Sequence, residues 1–145
     1  MFYGKEESLY GLFKGVIKEH FRRREKLLSD LKVYRGQAPV LLLLAEKNGL
    51  TQKEIAEELK IKPSTVTLIL RRMKKRGLVS SKRDEKDKRY TKVYLTEDGK
   101  KFICRLREIY RQLEEECFNG FSDEEKDQLM NFLRRVIDNL RRLNE

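Results

Sequence analysis

The sequence predicts a mainly α-helical fold with a small β-wing: a winged helix-turn-helix flanked by helices at both chain ends, about six helices and a two- to three-stranded antiparallel ribbon in all. Three observations predict it. Apolar residues recur at helical spacing over most of the 145 residues. Two short helical segments, "LTQKEIAEELK" and "PSTVTLILRRMKKR", adjoin at the tight turn "KIKP". After Gly77 the period changes, and β-prone runs stand at both ends of the polar stretch "SKRDEKDKRY", the second of them alternating.

The first element follows from Leu9, Leu12, Phe13, Val16, Ile17, His20 and Phe21, an i, i+3, i+4, i+7 series that predicts an amphipathic helix continuing to Leu31. "VYRGQAP" breaks it. A second helix, "QAPVLLLLAEK", is apolar on most sides and is therefore the expected core helix, ended by Asn48-Gly49. Thr51 and Glu54 form a capping box, and Leu50 with Ile55 has the spacing of a hydrophobic staple, so a third helix starts there and ends near Lys60. Pro63 suits the first position of a fourth helix, which ends near Gly77. "LVSSKR" and "YTKVYL" are β-prone, with Thr91, Val93 and Leu95 on one face and Lys92 and Tyr94 on the other. Thr96 can cap a fifth helix, whose first turn holds Glu97 and Asp98, the sign the helix dipole favours; it runs to about Cys117. Ser122 and Glu125 make a second capping box. The last helix then sets Leu129, Phe132, Leu133, Val136, Ile137, Leu140 and Leu143 on one stripe.

Composition narrows the partners. Charged residues are 40% of the chain and the net charge is +10, so an anionic partner is expected. "VLLLLA" is too short to span a bilayer, and the N-terminus lacks the features of a signal peptide, which points to the cytoplasm and to no membrane partner. Cys104 and Cys117 lie thirteen residues apart on one helix, about 20 Å along its axis, too far for a disulfide; they read as buried small hydrophobes. One histidine, His20, argues against a His-rich metal site, and no metal or cofactor is expected. There is no P-loop, no G-x-S-x-G and no H-E-x-x-H, so no enzyme is indicated.

The distribution of charge is more specific than its sum. From Lys62 to Arg76 there is no acid, but there are Lys62, Arg71, Arg72, Lys74, Lys75 and Arg76. The preceding helix mixes both signs, as solvated faces do. If Val66, Ile69, Leu70 and Met73 face the core, then Ser64, Thr67, Leu68, Arg71, Arg72 and Lys75 lie on or beside the outer face. In a helix-turn-helix this second helix enters the major groove of DNA. Ser64, Thr65 and Thr67 stand at its N-terminal end, where free N–H groups favour phosphate. Arg71 or Arg72 has the fork that reads guanine, and Leu68 can touch a thymine methyl. Lys86, Lys88 and Arg89 are the matching cations of the polar wing stretch.

Here the sequence resembles the multiple-antibiotic-resistance regulator (MarR) family. The resemblance rests on an ordered set covering nearly the whole chain: "LTQKEIAEELKIKPSTVTLILRRMKKRGLV", then "RDEKDKRYTKVYLTEDGKK", with long helices at both ends. The wing pair Asp87 and Arg89 and the "LT-x-x-G" of Leu95 to Gly99 belong to it. The resemblance implies a homodimer built from interlocked terminal helices (1–35 and 97–145), each chain presenting a winged lobe (36–96) with a recognition helix at about 63–76 and a wing at about 79–95. It implies binding to pseudopalindromic double-stranded promoter DNA, usually as a repressor, with release by a small phenolic or lipophilic molecule or an oxidant. A cleft beneath the lobe would be bordered by Phe13, His20, Tyr34 and Arg35. Asp87 would brace the Arg89 guanidinium, being two residues away on an extended chain, while Asp84 and Glu85 read as ordinary solvated turn residues.

The sequence departs from the family in two places. Lys60 stands where the family often has Gly, and Lys62 where a Ser or Asp cap is common. The peroxide-sensing members carry a Cys near the first helix, and this chain has none there. The competing reading of the same residues is a winged helix that docks protein or binds RNA, without ligand-regulated promoter binding.

Overall fold

The computed structural model describes residues 7–33 and 36–145. In order they form α1 (Leu9–Asp30), α2 (Gln37–Glu46), α3 (Gln52–Leu59), α4 (Pro63–Lys75), β1 (Val79–Arg83), β2 (Thr91–Leu95), α5 (Glu97–Cys117) and α6 (Asp123–Asn144). They divide into two compact units, one up to Arg111 and the other Gln112–Glu145. None of the described helices is long and apolar enough to cross a membrane.

The local signals account for the boundaries. The Thr51 and Ser122 side chains each accept the backbone N–H three residues on, and Glu54 and Glu125 return the bond to the cap N–H. Each box satisfies two of the donors a helix start leaves unpaired. Helix ends α1, α3 and α4 close alike, with a left-handed residue (Lys32, Lys60 and Gly77) whose successor donates back into the last turn: Val33 to Leu28, Ile61 to Ala56, Leu78 to Met73. Lys60 adopts φ 53°, ψ 45°, so the expected glycine-like position carries a side chain at a cost of about 1 kcal/mol.

The core belongs to the first unit. Val40, Leu41 and Leu44 of α2, Ile55 of α3, Val66, Leu70 and Met73 of α4, Val93 of β2 and Leu106 of α5 are all essentially inaccessible. α2 is the central helix, buried on several sides as its unbroken apolar run requires.

β1 and β2 pair antiparallel, from Val79 opposite Leu95 to Arg83 opposite Thr91. A bridge from Leu50 to Val93 adds a third short edge, and the Asn48 side-chain oxygen accepts the Leu95 N–H. Gly49 belongs at this corner because it has φ 83° and a Cβ there would lie 2.7 Å from the Tyr94 ring. The "LT-x-x-G" segment has an equally local cause. The Thr96 hydroxyl accepts the Gly99 N–H and donates to the Gly77 carbonyl, and a Cβ on Gly99 would fall 2.1 Å from the Leu78 carbonyl oxygen. Helix α5 therefore starts pressed directly onto the base of the wing.

One expectation fails on α5. Cys104 and Cys117 are both exposed thiols. The helix buries Phe102, Ile103 and Leu106, and one further residue turns Cys104 by about 100°, off that stripe. Cys117 is the last residue of the helix.

Candidate nucleic-acid interface

Helix α4 is built on a division of labour by period. Val66, Ile69, Leu70 and Met73 are buried, which fixes the rotation of the helix. Ser64, Thr65, Thr67, Leu68, Arg71, Arg72, Lys74 and Lys75 are then exposed, and Leu68 is 45% accessible despite being apolar. No acid interrupts this face. Among the described residues, no ion pair engages Arg71, Arg72 or Lys75, so their charge is directed outward. Lys62, at the N-cap, gives no side-chain cap, and Pro63 takes the first turn. Pro63 has no N–H, and the Thr65 and Val66 N–H groups donate to the Lys62 carbonyl, which leaves the Ser64 N–H, flanked by the Ser64 and Thr65 hydroxyls, to meet an anion.

Sequence reasoning missed Gln52, the first residue of α3. The Thr67 hydroxyl can donate to Gln52 Oε1 at 2.9 Å or to the Pro63 carbonyl at 3.1 Å. Gln52 therefore sits against the start of the recognition helix. Its place directly after the Thr51 cap was the available signal, because the first helix of this motif runs up to the second at that end.

The wing tip is more ordered than its composition suggests. The Asp84 N–H donates to the Tyr90 carbonyl at 2.9 Å, and Tyr90 N–H to the Asp87 carbonyl at 3.1 Å, so one turn nests inside another. Asp84 is not the solvated residue expected. Its carboxylate accepts the Lys86 N–H and pairs with Lys92 at 3.4 Å. It lies across the mouth of the hairpin, where the two strands bring a cation to it. Glu85 is exposed, as are Lys86 and Lys88.

Asp87 grips Arg89 from two directions. Its carboxylate accepts Arg89 Nε at 3.0 Å and Nη2 at 2.7 Å, and also the Arg89 backbone N–H at 3.1 Å. The cause differs from the one expected, because Asp87 to Tyr90 is a tight turn rather than extended chain. The side-chain bond from Asp87 to the N–H two residues on is the usual Asp turn contact. Arg89 nonetheless keeps 83% of its side chain accessible and is held 5.9 Å from the Tyr90 ring. The guanidinium hydrogen bond, then the Arg89 backbone N–H, hold the Asp87 carboxyl below its ordinary value, and the same pairing raises Arg89.

Phe13 and His20 are exposed on α1, while Tyr34 and Arg35 lie outside the described residues. A cavity of about 380 Å³ is lined by Gln37, Arg72, Lys75 and Arg76.

Comparison with known proteins places this geometry. The MarR family model matches residues 33–91. The HTH-type transcriptional repressor IacR of Pseudomonas putida is 31% identical over 139 residues, covering 96% of this chain and 83% of that protein. Two structures of S. aureus MepR variants are similar in fold. One superposes with a TM-score of 0.84 at 25% identity, and the other, bound to an oligodeoxyribonucleotide, with 0.68 at 26%. Each covers 92% of this chain and 98% of the other.

Proposed function

The chain belongs to the MarR family of transcriptional regulators, with a DNA-binding winged helix, and from that premise we propose that it acts in the cytoplasm as a homodimeric repressor of pseudopalindromic promoter DNA. The observation that carries the reading is the acid-free exposed face of α4. Ser64, Thr65, Thr67, Leu68, Arg71, Arg72 and Lys75 meet the major groove, the N-terminal hydroxyls and the Ser64 N–H taking phosphate and the arginines reading guanine edges. Lys86, Lys88 and Arg89 reach the flanking minor groove, whose narrow, negative stretches attract arginine. Asp87 holds the guanidinium aimed, so less side-chain freedom is lost on binding.

Dimerisation is supported by apolar stripes that stand exposed among the described residues. Leu9, Leu12, Val16, Ile17 and Phe21 are exposed on α1. α6 buries no residue at all, although Phe132, Leu133, Val136, Ile137 and Leu140 form one stripe. A soluble monomer rarely shows such patches, and two-fold association of the terminal helices (1–35 and 97–145) is the ordinary way to cover them. The lobes (36–96) would then meet successive major grooves about 34–36 Å apart. A small phenolic or lipophilic effector, bound near Phe13, His20, Tyr34 and Arg35, releases the DNA by favouring a lobe spacing that misses this period. Repression is supported by the kinship with IacR, which is named a repressor.

Competition between duplex DNA and duplex RNA for a labelled DNA site tests the reading. A-form RNA hides its major groove, so DNA should win by a wide margin. Equal competition would transfer the chain to the RNA-binding or docking class.

A further inference from the structure

Arg76 is the last cation of the acid-free run and the C-cap of the recognition helix, yet it does not join the outward face. Its Nη1 donates to the Lys32 carbonyl at 2.7 Å and to Gln37 Oε1 at 3.2 Å, and its Nη2 donates to the Leu31 carbonyl at 3.3 Å. Its guanidinium carbon lies 5.2 Å from the centre of the Phe102 ring. One side chain therefore ties the end of α4 to the turn that closes α1, to the first residue of α2 and to α5.

Each contact has a physical reason. Leu31 and Lys32 follow α1, where the turn through left-handed Lys32 satisfies Leu28 and Ser29 but leaves the next carbonyls pointing onward. Carbonyls at a helix C-terminus carry partial negative charge and attract a cation. Gln37 is 1% accessible, so its amide oxygen is a fixed acceptor rather than a mobile surface group. Phe102 is buried and offers a ring face to the flat guanidinium. Only a planar fork reaches three acceptors and a ring at once, which an ammonium cannot do.

We propose that Arg76 is a positioning residue for DNA recognition: it fixes the C-terminal end of the recognition helix against the corner between α1 and α2 and contributes no phosphate contact. The proposal rests on the DNA-binding reading above. It separates Arg76 from its neighbours Arg72 and Lys75, which a count of charges treats alike. It also makes the turn at Leu31–Lys32 the point where α1 and the recognition helix are mechanically joined.

The test compares Arg76→Gln, Arg76→Lys and Arg72→Gln with the wild type. Affinity is measured at several salt concentrations, for a duplex recovered by selection and for a random duplex. Arg76→Gln should weaken the selected duplex by about tenfold or more and leave the random duplex within about twofold, because specificity depends on pose and non-specific binding on charge. Its salt slope should match the wild type, whereas Arg72→Gln should lower the slope by about one. Arg76→Lys should behave like Arg76→Gln, the charge alone being insufficient. Three results overturn the proposal: equal loss on both duplexes, a slope lowered by about one in Arg76→Gln, or wild-type behaviour of Arg76→Lys. If the wild type itself binds no duplex, it is the DNA reading that fails.

Discussion

The recognition helix and the wing tip are both basic and both exposed, but they handle their cations in opposite ways. On α4 the exposed arginines and lysines stand without acids, and the helix holds their stems in register because Val66, Ile69, Leu70 and Met73 are locked in the core. The wing tip has no core beneath it. Its order comes from acids instead: Asp84 tied to Lys92 and the Lys86 N–H, Asp87 clamped on Arg89. A cation can thus be aimed by burying the backbone that carries it or by bracing the side chain itself. The second route costs net charge, and that is why a basic segment carries acids at its centre.

The comparison can be broken at several points. The largest effect is expected from the α4 face. Replacing Arg71 and Arg72 together by Ala should weaken binding to a selected duplex by about 1–3 kcal/mol for each arginine that forks onto a guanine, measured by anisotropy titration. A change of under twofold would remove α4 from the interface.

Next come the wing residues. Arg89→Ala should weaken binding by about 1 kcal/mol or more, roughly fivefold to tenfold. Asp87→Ala should weaken it too, by a smaller factor, although it raises the net charge by one. Tighter binding by Asp87→Ala, as charge counting expects, would end the bracing account while leaving the α4 account intact.

A smaller effect separates helix geometry from charge. Lys60 is left-handed in the turn before the recognition helix, so Lys60→Gly should raise stability by up to about 1 kcal/mol in thermal or denaturant unfolding. DNA affinity should stay nearly unchanged, because the cations keep their places. A destabilised Lys60→Gly would mean that the left-handed turn carries no strain.

The smallest expected effect is a pH invariance. Pairing lowers the Asp87 carboxyl from its ordinary value of 3.8, so its contribution to wing order is present above that value. It is lost only as pH falls through the still lower folded-state value. The Arg89 side-chain N–H resonances should therefore keep their dispersion from neutral pH down to about 5. Loss of that dispersion above pH 5 would show that the pair does not hold in solution.

The fold was legible because its boundaries are chemically marked. Two capping boxes, Pro63, and a switch from helical to alternating period name most of the elements without tertiary knowledge. The exposed face of α4 was legible for the same reason, since a buried stripe dictates its complement. What escaped depends on the third dimension. Asp84 meets Lys92 only because two strands close into a hairpin, and Gln52 meets Thr67 only because α3 abuts α4. Cys104 is one helical step from Ile103, and a single step separates the core from solvent. The Asp87–Arg89 pair was found for a partly mistaken reason: spacing suggested an extended chain, and a turn makes the contact.

The most direct measurement is selection of bound duplexes from a random DNA pool by the purified chain. The account predicts enrichment of an inverted repeat whose half-sites lie about one helical turn apart, one for each lobe of a homodimer. Recovery of a single unrepeated half-site, or no enrichment over the starting pool, would contradict it.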